Sequence, residues 1–298
     1  MLSILIPTYN YNIEALVTEL HAQATACDID FEILCYDDGS TNLDLIASNK
    51  SINLLKNTSY KVLKSNIGRS AIRNLLAKDA HYDLLLFLDA DVIPVKNDFI
   101  SKYLSALNSS IQLVYGGLNY QEKIPDENQM LRWVFGKKRE ALSTEKRNKS
   151  IYLRLLSCNF LIQKNVFKRI KFNEEISLDS PEDILFSYTL KENNIIVSHI
   201  DNPVYHFGLE NSSIFLKKSL KALLASHDLV RNNLINLEYI RIIKVFYKFK
   251  KIKLNYLLAY LFTVFKDYFR ANLLSKNPSL FIFDLYKLSY LCYKSKKD

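Results

Sequence analysis

Two carboxylates with one small residue between them, Asp89 and Asp91, directly follow the apolar run of residues 84–88. Such a run predicts a strand that is buried on both faces. Buried strands of open α/β sheets present their ligand groups at their carboxyl ends. Oxygen ligands on alternate residues at that place suit a hard divalent cation such as Mg²⁺ or Mn²⁺. The alternative is an ordinary acidic turn, because a motif this short often occurs without a function.

Two further acidic pairs follow the starts or ends of predicted elements. Asp37 and Asp38 follow the predicted strand of residues 31–36 and open Asp-Asp-Gly-Ser, which is also the composition of a plain turn. Glu182 and Asp183 follow Ser-Pro, a pattern that predicts the start of a helix with acids favoured by its dipole. A doubly wound sheet would bring these pairs and Asp89 to one edge.

Alternating strands and helices must position these pairs. Strands are predicted at residues 2–7, 31–36, 60–64 and 84–89, and helical spacing occurs at 13–26 and 67–76. This order favours an α/β fold with a doubly wound, mostly parallel sheet and helices on both faces. Short strands are also expected at residues 113–115, 157–163 and 195–198.

The composition is typical of a globular protein of 298 residues, 49% of them hydrophobic. The four cysteines have no C-x-x-C spacing, which argues against a zinc site or a disulfide framework and favours a cytosolic protein. The first ten residues lack a basic region and a cleavage site, so we expect a first strand there and no signal peptide. No apolar stretch approaches the ~20 residues that span a bilayer.

The net charge differs strongly between two parts of the chain. Residues 211–298 hold 17 basic and five acidic residues, a net charge of +12, whereas residues 1–210 have a net charge of −3. Apolar residues at helical spacing and interleaved tyrosines in this tail suggest a peripheral contact with an anionic membrane. Packing on the preceding domain or a homodimer contact is the alternative. Nucleic acid is not expected as a partner, because no recognised module accompanies the charge.

Six segments together resemble the glycosyltransferases of family two, which have the GT-A nucleotide-sugar-binding fold. They are, in chain order, SILIPTYN, EILCYDDGSTN, SNIGRSAIRN, LLFLDADV, SCNFLIQKNVF and SPEDILF. Each segment alone is a weak signal, but six in this order are specific. The resemblance covers residues 1–210 and implies an inverting, metal-dependent transferase of the type that builds bacterial cell-surface polysaccharides.

The resemblance implies roles for individual residues. Asp91 and His206 would hold Mn²⁺ or Mg²⁺, and Asp183 would be the general base, with Glu182 beside it as a second catalytic or orienting acid. Asp37 or Asp38 would accept a hydrogen bond from the base of the nucleotide. The residues implied to bind the donor are Pro7, Thr8, Tyr9, Asp37, Asp38, Asn66, Gly68, Arg69, Arg73, Asp89 and Ala90.

One departure from the family pattern concerns the helix that begins near Glu182. The arginines that the family often places after this acidic pair are missing from residues 184–190. Residues 118–150 are polar and basic with little periodicity, as in a functional loop or lid. We expect four residues of this segment to contact the donor diphosphate in their place: Trp133, Lys137, Lys138 and Arg139.

The expected reaction moves a sugar from a nucleoside-diphosphate donor, with a UDP-sugar favoured, to a hydroxyl of a polysaccharide or a lipid-linked glycan. Residues 1–210 would form the catalytic domain, with a nucleotide-binding half at 1–115 and an acceptor half at 116–210, and residues 211–298 a helical extension. The protein is expected in the cytoplasm, peripherally at the inner face of the membrane. A sugar nucleotidyltransferase or a degenerate scaffold subunit is the alternative.

Overall fold

The computed structural model describes residues 1–107, 110–177 and 180–295. The chain forms two compact units. The first unit contains Met1–Tyr120, Glu140–Leu178 and Glu182–Gly208. The second unit contains Gln121–Arg139, Asp179–Pro181 and Leu209–Asp298.

A seven-stranded sheet forms the centre of the first unit. Its strands are β1 (Leu2–Thr8), β2 (Phe31–Asp37), β3 (Thr58–Val62), β4 (Leu84–Leu88), β6 (Leu113–Tyr115), β8 (Asn159–Gln163) and β9 (Val197–His199). They are ordered β3-β2-β1-β4-β8-β6-β9. Only β8 runs antiparallel to its neighbours in this sheet, so the predicted mostly parallel α/β sheet is confirmed.

Helices cover this sheet because its central strands are apolar on both faces. They are α1 (Glu14–Ala26), α2 (Leu43–Asn49), α3 (Arg69–Asp79), α4 (Phe99–Ala106), α6 (Thr144–Asn148), α7 (Lys164–Arg169) and α8 (Glu182–Glu192). Strand β4 is buried from Leu85 to Leu88 and stacks Phe87 on Phe160 of β8, with 4.8 Å between ring centroids. The carboxyl end of β4 is therefore held rigidly, and Asp89 begins there.

A second, three-stranded sheet had no clear signal in the sequence. Its strands are β5 (Val92–Pro94), β7 (Leu118–Asn119) and β10 (Val204–His206), in the order β5-β10-β7. Strand β10 pairs antiparallel with β5, so that His206 lies opposite Val92. The sheet brings two segments that are more than 100 residues apart to the end of β4.

The second unit is helical, as predicted for the tail. It contains α5 (Met130–Phe135), α9 (Ser212–Arg231), α10 (Arg241–Lys251), α11 (Asn255–Leu273) and α12 (Leu280–Lys294). Its buried cluster joins Leu131 of α5 to Leu216, Phe262 and Phe283 of the tail helices. Among the described residues, no helix combines the length and the apolar character needed to cross a membrane.

Residues 118–150 are not one irregular loop. They contain α5, a π-helical turn at Gly136–Glu140 and α6. Each of these has only five or six residues, too few for a hydrophobic repeat to be visible in the sequence. Residues 121–139 of this segment belong to the second unit, because the buried Leu131 packs there.

Candidate active site

The end of β4 is fixed by the neighbouring strand. The Asp89 amide donates to the Cys158 carbonyl at 3.2 Å, which continues the ladder between β4 and β8. After Asp89 and Ala90 the chain turns into β5, and the Phe207 amide donates to the Asp91 carbonyl at 2.8 Å. Asp89 therefore directly follows β4, whereas Asp91 directly precedes β5, and the two carboxylates have different neighbours.

Asp91 lies against His206, as the predicted metal pair requires. The distance from Asp91 Oδ2 to His206 Nε2 is 3.3 Å, and both side chains are partly buried. The Tyr120 ring packs on the imidazole with centroids 5.5 Å apart. Burial and, secondarily, the Asp91 charge raise the pKa of Tyr11.

The pair has two features that fit a divalent cation. His206 Nδ1 is buried without a hydrogen-bond partner among the described residues, whereas a purely structural histidine is normally satisfied. A side chain at Gly208 would approach Asp91 Oδ2 to 1.9 Å, so glycine leaves room for the carboxylate at the pair.

The protein ligands at this place are few. In the part of the chain that the structure describes, no cluster of three or more His, Cys, Asp or Glu could hold a metal. Two protein ligands are nevertheless enough for a cation that takes its other ligands from water and substrate phosphates. Asp91 and His206 therefore fit a metal that binds together with a diphosphate.

Asp89 is held by a buried cation. Arg73 Nη2 donates to Asp89 Oδ1 at 2.7 Å and Arg73 Nη1 to Glu182 Oε1 at 3.2 Å. Burial lowers the pKa of Arg73, but Asp89 and Glu182 outweigh it, and the pKa is raised overall. The exposed Arg69 completes the group by contacting Glu182 Oε2 at 3.0 Å. We call Arg73, Asp89 and Glu182 the Arg73 clamp.

The clamp joins helices α3 and α8 to the end of β4, so it fixes the start of α8. Both oxygens of Glu182 are used by arginines, which is a positioning arrangement. The predicted catalytic role of Glu182 and the donor contact of Arg73 stay predictions. Their observed contacts, with each other and with Asp89 and Arg69, hold the start of α8 against α3 and β4.

Asp183 differs from its neighbour Glu182. Burial and the adjacent Glu182 charge raise the pKa of Asp183 from an ordinary 3.8 to about 7, against the lowering effect of the Ile184 amide, Arg69 and Arg73. The amide of Ile184 lies 2.9 Å from Asp183 Oδ1. A carboxylate with a pKa near the working pH suits a general base.

The two aspartates after β2 have separate contacts. Asp37 accepts from the Ser40 amide at 2.7 Å and from the Tyr60 hydroxyl at 2.6 Å. Asp38 accepts from the amides of Ile67 and Gly68 at 2.7 and 3.0 Å, so it holds the loop that precedes α3. Each Asp38 oxygen retains a second acceptor site for a ligand.

The loop before α3 and the turn after β2 are packed backbone to backbone. Gly39 has a φ of +72°, and a Cβ there would lie 2.8 Å from the Ser65 carbonyl carbon. Nearby, at the end of β1, the Thr8 hydroxyl is buried without a hydrogen-bond partner in the described ranges. An unsatisfied hydroxyl beside two loops of the predicted donor site is where a ligand group would be expected. Tyr9 is half exposed.

The four predicted lid residues lie in the second unit, and three of them contact residues of that unit. Trp133 Nε1 donates to the Gln121 carbonyl at 3.1 Å, and Lys137 pairs with Glu122 and lies over the Trp133 ring. Arg139 Nη2 is 2.7 Å from Asp284 Oδ2, and Lys138 is exposed. A contact between these residues and the donor stays a prediction.

Sequence reasoning missed a buried polar network below the site. Asn159 at the start of β8 accepts from the Tyr103 hydroxyl at 2.6 Å and donates to the carbonyls of Gly117 and Asn202. Arg147 of α6 is buried and donates to the carbonyls of Tyr115, Gly116 and Ile200. These single polar residues have no motif in the sequence. Only the turn signal at Gly116-Gly117 could have indicated them.

A mostly parallel sheet with an aspartate pair after its central strand is the GT-A architecture of glycosyltransferases. The family model "Glycosyl transferase family 2" matches residues 3–171, more than half of the chain. The chain therefore belongs to glycosyl transferase family 2. The resemblance and the fold class expected from the sequence are confirmed.

Individual relatives cover smaller parts. "Uncharacterized glycosyltransferase YfnE" of Bacillus subtilis (strain 168) is 30% identical over 118 residues, which are 39% of this chain and 29% of that relative. The chain thus spans less than a third of the length of this relative.

Two solved structures resemble the fold. The mannosyltransferase PcManGT from Pyrobaculum calidifontis, in complex with GDP-Man and Mn²⁺, has a TM-score of 0.55 at 11% identity and covers 77% of this chain and 64% of that one. S. aureus TarS 1–349 in complex with UDP-GlcNAc has a TM-score of 0.48 at 22% identity and covers 75% of this chain and 66% of that one.

Proposed function

We propose that the protein is an inverting, metal-dependent glycosyltransferase that transfers a sugar from a nucleoside-diphosphate donor to an acceptor hydroxyl. The observation that carries the proposal is the Arg73 clamp. It ties Asp89, at the predicted donor end of β4, to the start of α8, where Asp183 has the pKa of a base. One buried arginine thus joins Asp89 and the start of α8, which supports the proposed roles of Asp89 toward the donor and of Asp183 as the base.

The donor is proposed to be a UDP-sugar. Asp38 lies at the carboxyl end of β2 and has acceptor sites left for the ring N–H of a base, and the buried Thr8 hydroxyl offers a further polar contact. A nucleotide sugar also fits the fold, since PcManGT was solved with GDP-Man. The proposal of uracil over guanine is tested by comparing the two nucleotides.

Asp91 and His206 are proposed to hold Mn²⁺ or Mg²⁺. When bound there, the ion would neutralise negative charge on the departing diphosphate. Carboxylate and imidazole together suit Mn²⁺, and carboxylate with water and phosphate suits Mg²⁺. The space that Gly208 leaves beside Asp91 Oδ2 supports this assignment.

Asp183 is proposed to remove the proton of the acceptor hydroxyl as its oxygen attacks the anomeric carbon of the donor. A single carboxylate on the attacking side inverts the configuration, because no covalent sugar intermediate is formed. Glu182 keeps Asp183 basic through its negative charge and is itself held by Arg69 and Arg73. The acceptor is proposed to be a polysaccharide or a lipid-linked glycan.

The test is a thermal-shift and turnover screen of the full chain with UDP, GDP and their sugars, with and without Mn²⁺. We expect a UDP-sugar with Mn²⁺ to raise the melting temperature most, and expect Asp91→Asn to abolish only the Mn²⁺-dependent part. Asp201→Asn is the matched control, because its side chain is 77% exposed. Released nucleoside diphosphate supports transfer, whereas released pyrophosphate would identify a nucleotidyltransferase. Binding without turnover on any acceptor or water would favour a scaffold subunit.

A further inference from the structure

Helix α11 presents apolar side chains on two opposite faces. One face packs into the second unit, where Phe262, Phe269 and Leu273 are buried. At 100° per residue, the opposite face carries five large side chains that are between 52% and 69% exposed. We call this set the α11 stripe; its members are Tyr256, Leu257, Tyr260, Val264 and Tyr268. A helix that is apolar on both faces needs a second apolar environment.

Positive charge accompanies the stripe. Residues 241–270 contain eight lysines and arginines and one aspartate, a net charge of +7. Lys248, Lys250, Lys251 and Lys253 are exposed in the last turn of α10 and in the turn that leads into α11. Ile252, between these lysines, is 69% exposed. An exposed apolar residue among lysines at the start of an apolar stripe describes a basic, amphipathic surface.

The charge decides which partner fits this surface. In a symmetric contact between two copies, the same patch meets itself, so the lysines of both copies would lie close together and repel. An anionic lipid surface complements the lysines and takes up the apolar side chains in its interfacial region. Tyrosine is suited to that region because its ring is apolar and its hydroxyl remains hydrated.

We propose that the α11 stripe and the lysines of residues 248–253 dock the protein on an anionic membrane surface. The helix lies in the plane of the interface, with its buried face still packed in the second unit. The proposal concerns binding alone and does not rest on the transferase reaction. If both hold, docking would place the enzyme where a lipid-linked acceptor is found.

The experiment measures co-sedimentation of the purified full chain with large vesicles. One set of vesicles is phosphatidylcholine, and the other contains about one third phosphatidylglycerol. We expect binding to the anionic vesicles only, with about fivefold weaker partitioning for each lysine replaced. Raising NaCl from about 0.1 to 0.5 M should release the wild-type protein, because surface attraction is screened.

Two variants test the surface against matched controls. Tyr260→Glu/Val264→Glu should lose vesicle binding, whereas Leu54→Glu, at a first-unit residue that is 89% exposed, should not. Lys250→Glu/Lys251→Glu should also lose it, whereas Lys50→Glu/Lys56→Glu, exposed lysines of the first unit, should retain it. Thermal unfolding of each variant establishes that it is folded.

Three results would overturn the proposal. They are equal binding of the wild type to neutral and anionic vesicles, no binding to either, and unchanged binding of the folded stripe variant. A dimer in light scattering that Tyr260→Glu/Val264→Glu dissociates, without vesicle binding by the wild type, would assign the stripe to a second copy. A loss of sugar transfer alone would test the proposed function and leave the docking proposal standing.

Discussion

The two aspartates of the Asp89-Ala90-Asp91 motif are two residues apart and have opposite environments. Asp89 is held by the buried Arg73, which also holds Glu182, so both carboxylates have a cationic partner, although Arg73 Nε is buried without a hydrogen-bond partner in the described ranges. Asp91 contacts a histidine whose second nitrogen is buried without a partner in the described part of the chain. The comparison teaches that a carboxylate paired with a buried arginine supports the site, whereas a carboxylate beside a histidine with an unpartnered nitrogen is where a ligand is expected.

The largest effect is expected at Asp183, next to the clamp. Asp183→Asn removes the proposed base but keeps the shape, so activity should fall by about 10²–10⁴-fold. The free energy of unfolding of the variant should instead be larger than that of the wild type above pH 7. The raised pKa means that the ionised form of Asp183 destabilises the folded protein. The melting temperature of the variant should be higher by several degrees at pH 8, and the difference should shrink as the pH falls below about 3.8, where the carboxyl becomes protonated in both states. Equal melting temperatures of the wild type and the variant at pH 8 would contradict the raised pKa of Asp183.

The Arg73 clamp should contribute mainly to the free energy of unfolding. Arg73→Ala leaves Asp89 and Glu182 without their buried cation and should cost about 3–5 kcal/mol of unfolding free energy. Arg69→Ala is the control, because Arg69 contacts the same Glu182 with a side chain that is 60% exposed, and it should cost about 1 kcal/mol or less. Urea unfolding of both variants measures the difference. Similar losses would mean that Arg73 is not the supporting residue.

A substitution of Asp91 should affect metal binding more than stability. Asp91→Asn should weaken Mn²⁺ binding by about 10–100-fold or more, with little change in the free energy of unfolding. Calorimetric titration of Mn²⁺ with the nucleoside diphosphate present measures the first quantity, and urea unfolding the second. Unaltered Mn²⁺ affinity would remove Asp91 from the metal site.

The pH profile separates Asp183 from Glu182. The acidic limb of kcat/KM should fall tenfold per pH unit below about 7, because Asp183 must be ionised to act as a base. Glu182→Gln removes the charge that raises the pKa of Asp183, so this limb should move to lower pH in the variant. If the acidic limb of the Glu182→Gln profile lies at the same pH as in the wild type, a group other than Asp183 determines that limb.

The smallest effect is expected at Thr8. Thr8→Val keeps the shape and removes a hydroxyl that has no hydrogen-bond partner among the described residues, so stability should be nearly unchanged. If the hydroxyl contacts the donor, the KM for the nucleotide sugar should rise severalfold while kcat is kept. An unchanged KM would show that the Thr8 hydroxyl does not contact the donor.

The sequence alone determined the elements and the chemical candidates. Alternating apolar residues predicted β1, and a continuous apolar run predicted β4, because a strand buried on both faces is apolar throughout. The six ordered segments predicted the GT-A fold and family membership, and both are confirmed. Helical spacing likewise predicted α9 and α11, where the apolar repeat extends over several turns.

Only the tertiary structure decided how the candidates combine. His206 reaches Asp91 through the pairing of β10 with β5, two three-residue strands that are too short to show a pattern. Arg73 is 109 residues from Glu182, and nothing local in the sequence distinguishes a buried arginine from a solvated one. The same holds for Asp89 and Asp91. Their motif indicates two equal carboxylates, and their different partners come from segments that meet only after folding.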